Sequence, residues 1–364
     1  MKNSTAMKLK QVPGGYLIIG VDPHKKKHAV VVMTQGAIVQ TKFKFNNSRN
    51  GFDEVLQRVR VEMLKTGSRG VIFAIETASH YWRNLAYFLD DHGIPFRLVN
   101  PFTLKRRREG EDINRRKNDF RDAEMAAELL RTGKFTSTRL LYGVYAQLRA
   151  TYNAYRRLVK ERTRHTNLLK GLLDGLFPEF TQVFKNPCGK TALTMLSLGA
   201  VPEFIAGMKL EDFVDSIRKE FKGRAPKVQK LHAIHSIAGT SIGIGAAAES
   251  VSAELSLLVQ RIQLNAEQIE RTENVLVSLV NAIGDSRYLL SIRGLSYITV
   301  AGLLAELGPL SYYQNAKQLI KMAGTNPTES ESAGKRGSRT PMSKKGRPGP
   351  ALVYMDSLSL PSAA

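Results

Sequence analysis

Two apolar runs, YLIIGVD at residues 16–22 and GVIFAIE at residues 70–76, each end on a carboxylate, and no other feature constrains the fold as tightly. Unbroken runs of this length, rich in β-branched residues, read as central strands covered on both faces. Asp22 and Glu76 then stand where two such strands leave the core. Two more acids, Asp119 and Asp122 in KNDFRDAEMAAELL, are spaced three apart and share one face of a helix.

The segments between these acids have a definite order. Residues 16–22, 28–33 and 37–45 read as three successive strands, the third alternating in its second half like a half-exposed one. Asn46, Asn47, Ser48 and Asn50 supply turn and cap signals before a helix at 51–65. Residues 70–75 form a fourth strand, 80–92 a helix closed by Gly93, and 95–99 a fifth strand. Three strands, helix, strand, helix, strand, helix is the layout of a ribonuclease-H-like fold, in which the first and fourth strands and a late helix carry the acids. The expected class is α/β plus all-α, with this unit at residues 1–135.

Four carboxylates in one pocket repel each other and call for cations. Two Mg²⁺ ions ~3.5–4 Å apart would activate one oxygen and stabilise the leaving one in an in-line displacement at phosphorus. The rest of the chain supplies the opposite charge: the formal net charge is +22 and the pI about 10.0. The excess is clustered. Lys25 heads Lys25–Lys27, Lys105, Arg106, Arg107 and Arg108 are consecutive, and Arg115, Arg116 and Lys117 follow shortly after. Arg156–Arg157, Lys335 and Arg336, and Lys344, Lys345 and Arg347 complete the set. Clustering of this kind is an electrostatic footprint for nucleic acid. The basic strip at 103–118 is expected to be a flexible loop beside the acids, gripping a phosphate backbone. His28, at the start of the second strand, is expected to face solvent.

Residues 144–177 and 252–283 read as long helices. In the first, Leu148, Tyr155, Arg162, Leu169 and Leu176 recur every seventh position; in the second, Leu255, Ile262, Ile269, Leu276 and Ile283 do so, with Asn265 and Thr272 in the other seam. This is a coiled-coil pattern, and it leaves open whether the helices pair with each other or between chains. The region 140–285 is therefore read as a helical coiled-coil and oligomerisation region, interrupted by a Gly/Ala/Ser-rich break at 238–247. From 286 to 350 follow two short helices around Gly294, resembling a helix–hairpin–helix, and then a basic serine-rich loop. A hydroxyl flanked by small residues and cations is suited to attack phosphorus. Ser332, before Ala333-Gly334-Lys335-Arg336, fits that description, with Ser330, Ser338 and Ser343 as neighbouring competitors.

Other classes find less support. The single cysteine, Cys188, excludes an internal disulfide and a cysteine-built zinc site, and His232 and His235 have no further ligands at suitable spacing. No apolar run reaches the ~20 residues that span a bilayer, and the N-terminus shows no secretion signal, so a cytoplasmic protein without membrane contact is expected. A sugar-kinase or actin-like ATPase would need a second glycine-rich phosphate loop that is not found.

The motifs together resemble the DEDD-type transposases of the IS110 family of bacterial insertion sequences, over about residues 16–350. IIGVDPHKKKHAVVV is similar to the family's first acidic motif, FAIETASHYW to the second, and VNPFTLKRRREGEDINRRKNDFRDAEMAAELL to the last two. The resemblance implies Asp22, Glu76, Asp119 and Asp122 as catalytic metal ligands for Mg²⁺. In the C-terminal part, Gly324 and Pro327 match a G-x-x-P turn, and the serine five positions after the proline, Ser332, matches the family's nucleophile. It further implies a recombinase acting on donor and target double-stranded DNA, guided by a structured RNA, and working as homodimers that join into tetramers. The composite site would take Ser332 from one subunit and the acids from another. After Gly349 the sequence departs from the family's pattern, leaving residues 351–364 as an atypical tail. The alternative reading is a metal-dependent nuclease or Holliday-junction resolvase on the same fold, with no covalent intermediate.

Overall fold

The computed structural model describes residues 3–111, 118–136, 140–199, 201–221, 226–325, 331–332, 335–336 and 342. The chain divides into two compact units, Met1–Leu140 and Leu141–Ala364. No helix among the described residues is long and apolar enough to cross a membrane.

The first unit opens with helix α1 (Asn3–Leu9) and is built on strands β1 (Tyr16–Asp22), β2 (Lys27–Met33), β3 (Val39–Asn46), β4 (Gly70–Glu76) and β5 (Phe96–Val99). They form one mixed sheet in the order β3-β2-β1-β4-β5. The first three strands are antiparallel neighbours, while β4 and β5 run parallel to β1. Helices α2 (Arg49–Thr66), α3 (Trp82–Asp91), α4 (Pro101–Glu111) and α5 (Asp119–Arg131) complete the unit. Helix α2 begins where the cap signals place it, with Ser48 Oγ accepting the Gly51 N–H at 3.2 Å.

Alternation along the strands sorts the core into two layers. Leu17, Ile19 and Val21 of β1 and Phe73 and Ile75 of β4 pack with Phe52, Val55, Leu85 and Leu89 of α2 and α3. Ile18 of β1 and Ile72 and Ala74 of β4 pack on the opposite face with Met125, Ala126, Leu129 and Leu130 of α5. Gly20 lies in the same phase as Ile18. A Cβ there would stand 1.9 Å from the Ala123 carbonyl oxygen, so α5 rests directly on the strand's backbone.

Two expectations are corrected in this unit. Residues 103–111 of the basic strip are helical, within α4, rather than a flexible loop. Pro101 suits a first helical position, Asn100 Oδ1 accepts the Phe102 N–H at 2.8 Å, and Leu, Lys and Arg are good helix formers. His28 is fully buried rather than solvent-facing, packed among Phe45 and Phe52.

In the second unit, α6 (Gly143–Leu176) is followed by the short helices α7 (Phe180–Val183), α8 (Lys190–Ser197), α9 (Pro202–Gly207), α10 (Leu210–Lys219) and α11 (Val228–Ala238), and then by α12 (Ala248–Asn281). Helices α6 and α12 lie antiparallel within the chain. Leu169, Leu173 and Leu176 meet Leu255, Leu258 and Ile262 at one end, and Leu148 and Tyr152 meet Leu276, Val280 and Ile283 at the other. The α12 heptad is buried throughout, whereas Arg162 at the matching position of α6 is exposed, so the α6 seam is interrupted in the middle. Helices α13 (Ser286–Leu290) and α14 (Tyr297–Leu307) flank Gly294, whose φ of 93° is the left-handed conformation the turn requires. Helix α15 (Ala316–Ala323) and the paired strands β6 (Glu331–Ser332) and β7 (Lys335–Arg336) follow.

Candidate active site

Asp22 and Glu76 end neighbouring parallel strands, each one residue beyond the Val21–Ile75 register pair. Both are in phase with the residues that face α5: Asp22 follows Ile18 and Gly20, and Glu76 follows Ile72 and Ala74. Helix α5 starts beside them. Asn118 caps it by accepting the Phe120 N–H at 3.0 Å, which puts Asp119 and Asp122 in the first turn, where the helix dipole favours negative charge. The helix can lie close because Ala123, Ala126 and Ala127 face the sheet with little bulk.

Asp22, Glu76 and Asp122 line one cavity of about 560 Å³, together with His24, Lys25, Lys105 and Arg108. Asp119 stands at its edge, joined through His24. The imidazole Nε2 is 3.4 Å from an Asp119 carboxylate oxygen and Nδ1 is 3.6 Å from Asp22. Asp22 and Asp122 are each only 4% exposed. One donor atom from each of Asp22, His24 and Asp119 can be chosen so that all three lie within 4.8 Å of one another. Two carboxylates and an imidazole at that spacing fit a divalent cation.

Cations from three elements surround the acids. Arg108 of α4 donates from one guanidinium nitrogen to both oxygens of Asp122, at 2.7 and 2.9 Å. Lys44 of β3 donates to Asp119 at 2.6 Å. This bond, with the nearby His24, holds the Asp119 carboxyl below the usual carboxylate range. Lys25 and Lys105 line the cavity as exposed side chains. Arg106 instead lies over the Phe102 ring at 4.5 Å, and Arg107 belongs to the same helix.

His24 and Lys44 were not legible as site residues. His24 is a loop residue two positions after Asp22, and that D-x-H spacing is the one local hint. The loop is held from its buried side. His28 Nδ1 accepts the His24 backbone N–H at 3.1 Å, the Asn47 side-chain amide donates to the Lys25 carbonyl at 3.2 Å, and the Asn47 backbone N–H donates to the Lys26 carbonyl at 2.8 Å. Burial depresses His28 to a pKa of about 4, so it is neutral at pH 7 and free to accept at Nδ1.

Ser332 is on β6, where its backbone is the register partner of Lys335, and Glu331 is that of Arg336. Arg115, Arg116, Lys117, Lys344, Lys345, Arg347 and the 351–364 tail fall outside the described residues. His235 of the HxxH pair is engaged structurally, its Nε2 lying 2.9 Å from the Met208 carbonyl.

The chain is similar to known proteins along most of its length. The family model for DEDD transposases of the IS110 type matches residues 19–178, and the model described as "Transposase IS116/IS110/IS902 family" matches residues 286–350. A curated relative, the "Mini-circle putative transposase for IS117" of Streptomyces coelicolor, is 22% identical over 321 residues, covering 85% of this chain and 75% of its own. Among solved structures, Thermus thermophilus RuvC in complex with a Holliday junction substrate covers 33% of this chain and 98% of its own at 13% identity. Its TM-score of 0.24 is too low to bear on fold or function. The two family models match the N-terminal and C-terminal parts of the chain in the expected order: the chain belongs to the IS110 family of transposases.

Proposed function

We propose that this transposase excises and inserts its element by cutting and rejoining DNA strands, with Asp22, Glu76, Asp119 and Asp122 holding divalent metal and Ser332 as nucleophile. One observation carries the metal-site part of the reading. Four acids spread over a hundred residues converge at one end of the sheet on one of its faces, three of them lining a single cavity. The strand order, with β2 alone antiparallel to both its neighbours, supports a ribonuclease-H-like unit.

Asp22, Glu76, Asp119 and Asp122, with cations bound, would hold the scissile phosphate; the bound ions, Mg²⁺ and two per site, supply charge stabilisation at the phosphate oxygens. Lys25 and Lys105, exposed at the cavity, bind flanking backbone phosphates. Arg108 fixes the rotamer of Asp122 through its paired hydrogen bonds. Ser332 Oγ attacks phosphorus, forming a serine–phosphate ester; the P–O bond to the DNA breaks and the departing strand leaves with the proton as a free hydroxyl. The ester conserves the bond energy for rejoining. A structured guide RNA selects donor and target, and the net charge of +22 suits a protein that must hold RNA and DNA together. Homodimers joining into tetramers complete the assembly.

The test is strand transfer with purified protein, RNA transcribed from sequence flanking the gene, donor and target DNA, and Mg²⁺. A protein–DNA adduct should survive denaturation in the native protein and be absent in Ser332→Ala. Full transfer by Ser332→Ala excludes the serine step. Cleavage with no adduct in any variant points instead to a plain nuclease or junction resolvase.

A further inference from the structure

The cavity that three of the four carboxylates line also holds an imidazole. His24 projects from the β1–β2 loop between Asp22 and Asp119. We propose that His24 is a metal ligand, so that the cation held by Asp22 and Asp119 is bound by one nitrogen as well as by oxygens, and the site favours Mn²⁺ over Mg²⁺. This rests on the reading of the acids as metal-holding and adds a ligand outside the quartet.

The two separations run to opposite ring nitrogens, Nδ1 to Asp22 and Nε2 to Asp119, so a cation among the three side chains would take one of the two nitrogens and one oxygen from each acid. Charge-assisted N–H···O bonds close to about 2.7–2.9 Å. The two His24–carboxylate separations are 3.6 and 3.4 Å, so the ring stands between the acids without closing on either. Ligand atoms about 2.0–2.2 Å from one ion stand roughly 3–4 Å from each other, and the donors of Asp22, His24 and Asp119 already lie within 4.8 Å. The ring belongs to a loop whose backbone is fixed by His28 and Asn47, so little ordering is needed for it to ligate.

The donor set then determines the preference. Mg²⁺ is served by carboxylate oxygens and water and gains little from an imidazole. First-row transition ions accept imidazole more readily, and Mn²⁺ is the weakest binder of that series and thus a conservative probe. Lys44 competes for the same acid through its bond to Asp119, which lowers affinity for either ion without discriminating between them.

The experiment uses the full chain and Mn²⁺ alone. Affinity is read by electron paramagnetic resonance titration, with Mg²⁺ as competitor, and ligation by pulsed measurement of nitrogen coupling. The native protein should show imidazole nitrogen coupling that changes on labelling with ¹⁵N-histidine, a comparison needing no substitution. His24→Ala should lose the coupling with the other six of the seven histidines intact, and Mn²⁺ affinity should fall on the order of tenfold. His24→Asn should behave as His24→Ala, and the Mg²⁺ competition constant should stay nearly constant in both. Binding that is lost in Asp22→Asn but shows no nitrogen coupling in the native protein overturns the role of His24 and leaves the carboxylate site standing. Mn²⁺ bound equally by the native protein and Asp22→Asn overturns the metal site and the proposal together.

Discussion

The Ala123 carbonyl oxygen of α5 occupies the space in which a side chain at Gly20 of β1 would begin, only 1.9 Å from where its Cβ would lie. The clash would be with backbone at a position where helix and strand are both buried, so no rotamer change relieves it. Gly20→Ala should push α5 off the sheet and destabilise the first unit by about 3 kcal/mol. Because Asp119 and Asp122 travel with α5, divalent-cation affinity should drop as well. Urea denaturation and a metal titration check both; an unchanged midpoint would contradict the packing.

His28 should give the protein a pH-dependent stability. Burial first, and the nearby His24 to a lesser degree, lower its pKa from 6.5 to about 4, against an opposing contribution from Asn47. Between those values the unfolded chain binds a proton that the folded chain does not. The contribution is therefore full above about pH 6.5, declines as pH falls towards 4, and is spent below that, up to about 3 kcal/mol in all. His28→Gln should show a shallower decline over the same window. Parallel slopes for the two proteins in urea unfolding at pH 7.0 and pH 4.5 would count against it.

Arg149 ties the start of α6 to the end of α14. Its Nε donates to the Ala305 carbonyl at 2.6 Å and one Nη to that of Glu306 at 2.9 Å, capping carbonyls that have no partner within the helix. Arg149→Met should lower stability by about 2 kcal/mol and speed amide exchange first in the last turn of α14. Arg149→Lys should recover only part of the loss, since an ammonium cannot reproduce the planar fork. Exchange unchanged in α14 would rule out the cap.

Asn265 is the buried polar residue of the α12 seam. Its Nδ2 donates to the Leu158 carbonyl at 3.2 Å, while Oδ1 has no hydrogen-bond partner among the described residues. Half-satisfied and buried, it should be replaceable with advantage: Asn265→Leu is expected to raise stability by about 1 kcal/mol, visible as a higher melting temperature. A lower one would show that the amide contributes more than its burial costs.

Much of the secondary structure was legible because its signals are local. Strands β1 and β4 announced themselves as apolar runs, Ser48 as a cap, and α6 and α12 by heptad spacing. The failures share one cause, that context beyond the segment decided. His28 looked like an exposed strand-start residue, yet Phe52 of α2 and Phe45 of β3 close over it. The charge density of residues 103–108 suggested a loop, whereas Pro101, the Asn100 cap and good helix formers make α4. The heptads did not name their partner; Leu276 meeting Leu148 shows that α12 turns back on α6 of the same chain.

The amino-acid order by itself determined that Asp22 and Glu76 end buried strands and that Asp119 and Asp122 share a helical face, because strand and helix periods are properties of the local backbone. It did not determine which side of the sheet the first two acids take. A strand covered on both faces has no polar face to fix its phase, and YLIIGVD is such a strand. Only the tertiary structure decided that, through the glycine that admits α5 to one face and so places all four carboxylates, with His24 among them, at the same end of the same layer.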